Sequence, residues 1–340
     1  MRAAVVAEPY HVEIRDIPKP SVEANDVLIK VEVAGICGSD LHLFKGTHAF
    51  RKPPAVLGHE MAGTVVEVGK NVKKFKAGDR VTVEPQVGCG QCRYCGQGLA
   101  NLCLNKKVPG TPSWVGTFVE YFVAPEETVY AIPESLSFAE GLMAEPLAVA
   151  VHAVRRAELK PGDTVAILGS GTIGLLALLV AKAKGIETVY CTDVVDFNLE
   201  MAKKLGAKAA IHALREDPVE KIRSWTDDVG VDKVIIAAGP GTIIDQASAI
   251  TRRRGRITLV AMITKPIPVY TYSFVFNEQT LAGSQTYQSQ DFEEAVRLLS
   301  TKEVDVSSLI TQELSLAETE QGLKMLADKA GNIVKIVVQP

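Results

Sequence analysis

Cys89, Cys92, Cys95 and Cys103 stand within fifteen residues of a glycine-rich stretch. Thiolates at that spacing can close around one tetrahedral zinc ion. The alternative, two disulfides, belongs to an oxidising compartment, whereas this chain is long, lysine-rich and has only six cysteines in 340 residues. Four thiolates leave no open coordination position, so this metal is expected to brace a loop. Chemistry has to be sought elsewhere.

A second signal is Gly169-Ser170-Gly171-Thr172-Ile173-Gly174, which follows an apolar run and opens a helix expected to reach Lys184. Gly169 permits the tight turn, Gly171 lets a pyrophosphate approach the backbone, and Gly174 lets helix and strand pack closely. Thr172 and Ile173 begin the helix whose N-terminus faces the phosphates. Asp193 closes the next strand, where its carboxylate accepts hydrogen bonds from ribose hydroxyls and repels a 2′-phosphate. Val194 and Val195 after it offer no cation to hold one, so NAD is expected over NADP.

A third set is dispersed. Cys37 lies in Gly35-Ile36-Cys37-Gly38-Ser39-Asp40-Leu41-His42, His59 and Glu60 in Gly58-His59-Glu60, and Glu145 in Ala144-Glu145-Pro146-Leu147. Each is ordinary alone, since buried cysteines are usually small hydrophobes and such histidines core residues. Their combination with the zinc loop and the nucleotide motif marks them as candidates for a second metal site.

The elements that must position these residues divide the chain. Its length and its 47% apolar content predict two hydrophobic cores. Up to about residue 150, short β-branched runs (27–33, 62–68, 79–83) alternate with Gly, Pro and Gly-Asp turns, and Met1-Arg2-Ala3-Ala4-Val5-Val6 reads as a first strand rather than an apolar leader. From Pro161 the rhythm becomes strand, glycine turn, helix, strand, with strands expected at 164–168, 188–192, 233–238 and 256–260. That is a doubly wound parallel sheet. Helices at 291–299 and 316–327 and a strand at 333–338 follow, the last placed to rejoin the β-rich part. A ligand is expected in the cleft between the two parts. The formal charge of −3 gives no broad attraction to nucleic acid or anionic membrane, and the basic run Arg252 to Arg254 reads as a solvated helix end. The longest apolar stretch, 173–181, is about half a membrane span. A reducing, cytoplasmic setting is expected.

With these motifs in hand, the chain resembles the zinc-dependent medium-chain dehydrogenases, in particular their sorbitol, threonine and butanediol branch. The resemblance implies an α/β fold, with a GroES-like β-rich catalytic domain over 1–148 and 286–340 and a Rossmann domain over 149–285. It implies a structural zinc on Cys89, Cys92, Cys95 and Cys103 in a lobe at about 86–106, and a catalytic zinc on Cys37 and His59. Glu60 and Glu145 are both candidates for the remaining positions, exchanging ligand and outer roles. One thiolate, one imidazole and one carboxylate leave zinc an open position, where an alcohol becomes acidic at a pKa of roughly 7. Hydride then passes to the nicotinamide, and Ser39 and His42 are implied to carry the proton away. Asp40 is expected to orient the metal's surroundings.

The expected reaction is oxidation of a secondary alcohol to a ketone with NAD, with two zinc ions per chain. A threonine-type or sugar-acid dehydrogenase is the alternative, and a nucleotide-binding protein without turnover the remote one. Leu43 and Thr286-Tyr287 stand where polyol enzymes carry an aromatic residue and an Arg-Tyr pair, which predicts an apolar wall and fewer donors for a long sugar alcohol. Trp114 and Phe118 are expected in a core rather than along the cleft. Phe50, Arg51 and Lys52 are expected at its rim, where a basic pair suits a carboxylate or phosphate, although ordinary surface charge explains the pair equally well. The aromatic segment 266–283 is implied to pair subunits, giving a homodimer or homotetramer.

Overall fold

The computed structural model describes residues 1–48, 51–239, 241–328 and 331–340. Two compact units emerge, Met1–Glu145 with Gln288–Pro340, and Pro146–Tyr287. The first begins with β1 (Arg2–Glu8), β2 (His11–Asp16), β3 (Asp26–Ile36), β4 (Ala55–Val56), β5 (Glu60–Val68), β6 (Arg80–Val83), β7 (Tyr121–Pro125) and β8 (Val129–Ala131). The second contains β9 (Thr164–Leu168), β10 (Thr188–Asp193), β11 (Ala209–His212), β12 (Val231–Ile236), β13 (Thr251–Leu259) and β14 (Thr280–Gly283). The chain then returns to the first unit through helices Ser289–Ser300 and Thr319–Asp328, with β15 (Ile310–Ser315) and β16 (Lys335–Gln339).

In the second unit the strand order is β11-β10-β9-β12-β13-β14, and every neighbouring pair is parallel. Parallel neighbours need crossovers, which the intervening helices supply, and strands covered on both faces read as apolar runs such as Val165 to Leu168. The first unit's larger sheet runs β15-β16-β3-β5-β6-β8, with β7 also on β3, and β1, β2 and β4 form a smaller one. β3 organises this unit: it pairs antiparallel with β5, β7 and β16.

Two expectations fail here. Arg252 to Arg254 belong to β13, which begins at Thr251, five residues before the strand expected at 256; Arg252 is held by Asp232 (2.6 Å) rather than capping a helix. Leu43 is no pocket wall but is fully buried in the first unit's core, because on the one-turn helix Asp40–Phe44 residues 40, 43 and 44 share the inward face.

Candidate active site and metal centres

The sheet register builds the dispersed site. Cys37 directly follows β3 and His59 directly precedes β5, and the antiparallel pair Gly35↔Glu60 lays these ends side by side. Side-chain donor atoms of Cys37, His59 and Glu60 consequently lie within 4.8 Å of one another. Glu145, in the first turn of helix Ala144–Ala157, is buried but lies outside that converging set.

Around the cluster each partner has a role. The Cys37 N–H donates to Asp40 Oδ2 (2.9 Å), closing a turn, while Asp40 Oδ1 faces His59 Nδ1 at 3.6 Å. Burial alone would raise the Asp40 carboxyl, but the His59 ring and the Cys37 N–H bring it below its ordinary value; burial likewise disfavours the His59 cation, and Asp40 outweighs it. Asp40 Oδ1 and His59 Nδ1 face each other at ion-pair distance without a hydrogen bond, and a carboxylate on the Nδ1 side leaves Nε2 for a metal. Glu60 is completely buried, and its Oε1 meets no hydrogen-bond donor. Its Oε2 is paired with Lys335, itself 2% exposed, whose Nζ also donates to the Ile36 carbonyl (3.2 Å). Burial would depress the Lys335 ammonium, and Glu60, Cys37 and Glu145 together raise it. The space is exact: a side chain on Gly35 would collide with the Glu60 carboxylate. A buried carboxylate short of donors, facing a thiol and a pre-oriented imidazole, fits a divalent metal and fits no ordinary core.

The four-cysteine loop also converges, with all four sulfur atoms within 4.8 Å. Backbone N–H groups of Gln91 and Cys92 hold the Cys89 thiol down at about 6, whereas desolvation and neighbouring thiols push Cys95 up to about 11. Thiols this close do not all ionise unless a cation neutralises them, which is what zinc does.

At the nucleotide motif, Gly169 has φ of +97°, a conformation costly to other residues, and a side chain on Gly174 would strike the Gly169 carbonyl. Gly171 caps helix Thr172–Ala183. Asp193 ends β10; its Oδ2 accepts from the Ser170 N–H (2.6 Å), and Oδ1 from Val194 (2.7 Å) and Val195 (3.0 Å). The carboxylate is thus fixed beside the glycine turn.

Ser39 precedes the short helix, and His42 follows one turn later, its N–H on the Ser39 carbonyl (3.2 Å) and its Nδ1 3.5 Å from Thr47 Oγ1. Trp114 stacks on Phe122 and donates to the Val123 carbonyl (2.8 Å), and Phe118 is fully buried, so both serve the core. Tyr287 is buried and Thr286 has φ of +42°. Arg51 is half-buried and Lys52 exposed; Phe50 lies outside the described residues. Sequence reasoning missed Lys335. Its one signal is a lone charge inside the apolar run Ile333-Val334-Lys335-Ile336-Val337-Val338.

Known proteins define the class. The description "Alcohol dehydrogenase GroES-like domain" matches residues 23–134 and "Zinc-binding dehydrogenase" residues 172–301. A sorbitol dehydrogenase of Bacillus subtilis (strain 168) is 37% identical, covering 100% of this chain and 97% of its own length. A D-arabitol-phosphate dehydrogenase of Enterococcus avium is 36% identical over 95% of this chain and 92% of its own. A protein of Sinorhizobium meliloti 1021, assigned to the zinc-binding dehydrogenases and solved with NADP, superimposes with a TM-score of 0.93 at 32% identity, covering 100% and 99% of the two chains. The chain belongs to the zinc-binding, medium-chain alcohol dehydrogenases, in the branch that holds the polyol dehydrogenases.

Proposed function

We propose that this chain oxidises a secondary alcohol of the polyol or diol kind to a ketone, delivering hydride to NAD. The observation that carries the reading is the convergence of Cys37, His59 and Glu60 in a chain that also holds the glycine turn with Asp193. Zinc bound there would lower the pKa of the alcohol hydroxyl toward neutrality. Cys37, His59 and Glu60 hold it, Asp40 fixes the tautomer of His59, and Glu145 borders the same charged pocket. Ser39 takes the alcohol proton and His42, one helical turn on, passes it outward. Gly169, Gly171, Thr172, Ile173 and Gly174 receive the pyrophosphate, and Asp193 the adenosine ribose, favouring NAD although a relative was solved with NADP. Cys89, Cys92, Cys95 and Cys103 hold a structural zinc.

The boundaries proposed for the catalytic domain, 1–148 with 286–340, and the nucleotide domain, 149–285, are supported by the nearby division into compact units. A homo-oligomer, dimer or tetramer, is supported by the terminal strand β14 and by exposed Tyr270, Tyr272, Val275, Phe276 and Leu281 in one segment. Free cysteines throughout support a reducing, cytoplasmic setting. No helix of the described residues is long and apolar enough to cross a membrane.

The test is NADH formation by zinc-loaded protein with polyols, short diols, L-threonine and sugar acids, repeated with Cys37→Ser protein and with NADP. Turnover of a polyol or diol that vanishes in the variant is expected. Turnover that survives Cys37→Ser, or that is confined to L-threonine, overturns the reading.

A further inference from the structure

We infer that Asp196 and Arg215 form a second determinant of cofactor choice: Arg215 is the cation that a 2′-phosphate would need, and Asp196 withholds it. The inference rests on the nucleotide site proposed above and goes beyond Asp193. Val194 and Val195 supply no cation on the strand of Asp193, but one comes from the next strand of the sheet. β10 and β11 are parallel neighbours in the register Asp193↔His212, and the Ala213 N–H donates to the Asp193 carbonyl (2.9 Å), so the chain leaves β11 beside Asp193. It turns at once, the N–H groups of Arg215 and Glu216 both donating to the His212 carbonyl (2.9 and 3.0 Å). From that turn the Arg215 guanidinium meets Asp196, three positions after Asp193, with Nη1 on Oδ1 and Nη2 on Oδ2, each at 2.8 Å. Asp196 opens helix Asp196–Lys204, and the Val194 and Val195 N–H groups on Asp193 Oδ1 set the entry to that helix. Both members of the pair are thus tied to the backbone that fixes Asp193, at the C-terminal strand ends where open α/β sheets take their ligands.

A guanidinium fork offers the same two parallel N–H groups to a carboxylate or to a phosphate. Here Asp196 takes both, and the Arg215 hydrogen bonds hold its carboxyl below the ordinary value, so it stands as an anion. A 2′-phosphate on a ribose at Asp193 therefore faces two carboxylates, with the neighbouring cation already engaged. The engagement is weak. The side chains of Arg215 and Asp196 are 63% and 58% exposed, and an ion pair that open to water is easily exchanged, so without the Asp196 charge the guanidinium is free to take a phosphate instead.

The test is the ratio of dissociation constants for NADPH and NADH, read by nucleotide fluorescence on the zinc-loaded protein at low ionic strength, with the ratio of kcat/KM for NADP and NAD as a second readout. The parent is expected to bind NADH the more tightly. Asp196→Asn is expected to shift the ratio roughly ten- to hundredfold toward NADPH, Asp196→Ser to do the same, and added salt to shrink the shift. In the Asp196→Asn background, Arg215→Gln should return the ratio to within about threefold of the parent's and Arg215→Lys should keep part of the gain; Arg215→Gln alone should change the ratio less than it does in that background. Glu216→Gln removes a carboxylate adjacent in sequence that is paired with Lys221 (2.9 Å), and should leave the ratio as it is. An unchanged ratio in both Asp196 variants, a gain that survives the loss of Arg215, an equal gain in Glu216→Gln protein, or a parent that already prefers NADPH overturns the inference. The expected binding ratios without turnover of any alcohol uphold the pair and overturn the dehydrogenase reading instead, and binding of neither nucleotide overturns both.

Discussion

Replacing Lys335 by methionine separates the two charges that claim Glu60. Lys335 is 2% exposed and Glu60 fully buried, and the carboxylate has the ammonium on one oxygen and no donor on the other. Methionine keeps the length and most of the volume but leaves the carboxylate without its cation. Breaking a buried pair from one side costs about 3–5 kcal/mol. That cost belongs to protein stripped of metal. If Glu60 ligates zinc, a divalent charge takes over in the loaded protein, and the remaining loss is the bond to the Ile36 carbonyl, about 1 kcal/mol. The difference, about 2–4 kcal/mol, must reappear as metal affinity, so Lys335→Met should bind zinc roughly 30- to 900-fold more tightly at this site. Urea unfolding of stripped and loaded protein, with chelator competition, reads both sides of the cycle. Stripping also empties the four-cysteine lobe, but equally in both proteins, so that contribution cancels. Lys335→Arg should stay near the parent in both forms. Equal destabilisation of stripped and loaded Lys335→Met protein, with unchanged zinc affinity, would show that Glu60 is no ligand.

Three further outcomes follow from other parts of the molecule. Asp193→Ser removes the carboxylate proposed to confront a 2′-phosphate, and the ratio of kcat/KM for NADP to that for NAD should rise by roughly ten- to hundredfold; an unchanged ratio would place the ribose elsewhere. Cys95→Ser should bind one zinc per chain fewer than the parent by metal analysis and unfold at lower temperature, whereas unchanged zinc content would refute the four-thiolate site. Glu84 is buried, and burial holds its carboxyl above the ordinary 4.5 despite hydrogen bonds from Gln86, Ser289 and Tyr130. The folded state therefore holds that proton more tightly than the unfolded one, and stability is lost as pH rises through the folded pKa. Glu84→Gln should remove this slope, matching the parent in acid and exceeding it in denaturant stability at neutral pH; a parent that stays the more stable at neutral pH contradicts the argument.

What was legible in the sequence was local. The four-cysteine loop and the glycine turn are short segments whose function depends on spacing within one stretch of backbone, and Asp193 follows from the next strand's end. Lys335 was not legible, because it meets the Ile36 carbonyl across 299 positions, through a pairing of β16 with β3 that no local pattern encodes. Leu43 was misplaced because adjacency in sequence to His42 does not mean a shared face; one residue along a helix turns the side chain by about 100°. The basic run at Arg252 lies at the surface, where its charge suggested, and just past the end of helix Ile243–Ile250, but in strand rather than helix; the positive φ of Arg254 marks an irregular residue that the strand accommodates ahead of Gly255. The sequence left Glu60 and Glu145 equivalent, and it is the cross-strand register Gly35↔Glu60 that distinguishes them.

The charges of the pocket argue for the same metal from another direction. Lys335 and Arg51 both lie in the field of Cys37 and Glu145, and Glu60 acts on one of them, Asp40 on the other. Without metal, Asp40, Glu60 and Glu145 are matched by Lys335, Arg51 and a His59 cation that Asp40 favours. A divalent cation held by Cys37, His59 and Glu60 takes the place of two protons, one from the His59 ring and one from the Cys37 thiol, so the balance is kept, with the neutral imidazole contributing a bond and no charge. The same balance explains why Lys335 is tolerated so close to a cation: it offsets one carboxylate, so that the metal serves the set as a whole rather than Glu60 alone. Removing either cation should then tighten metal binding, and removing Asp40 should loosen it without touching a ligand.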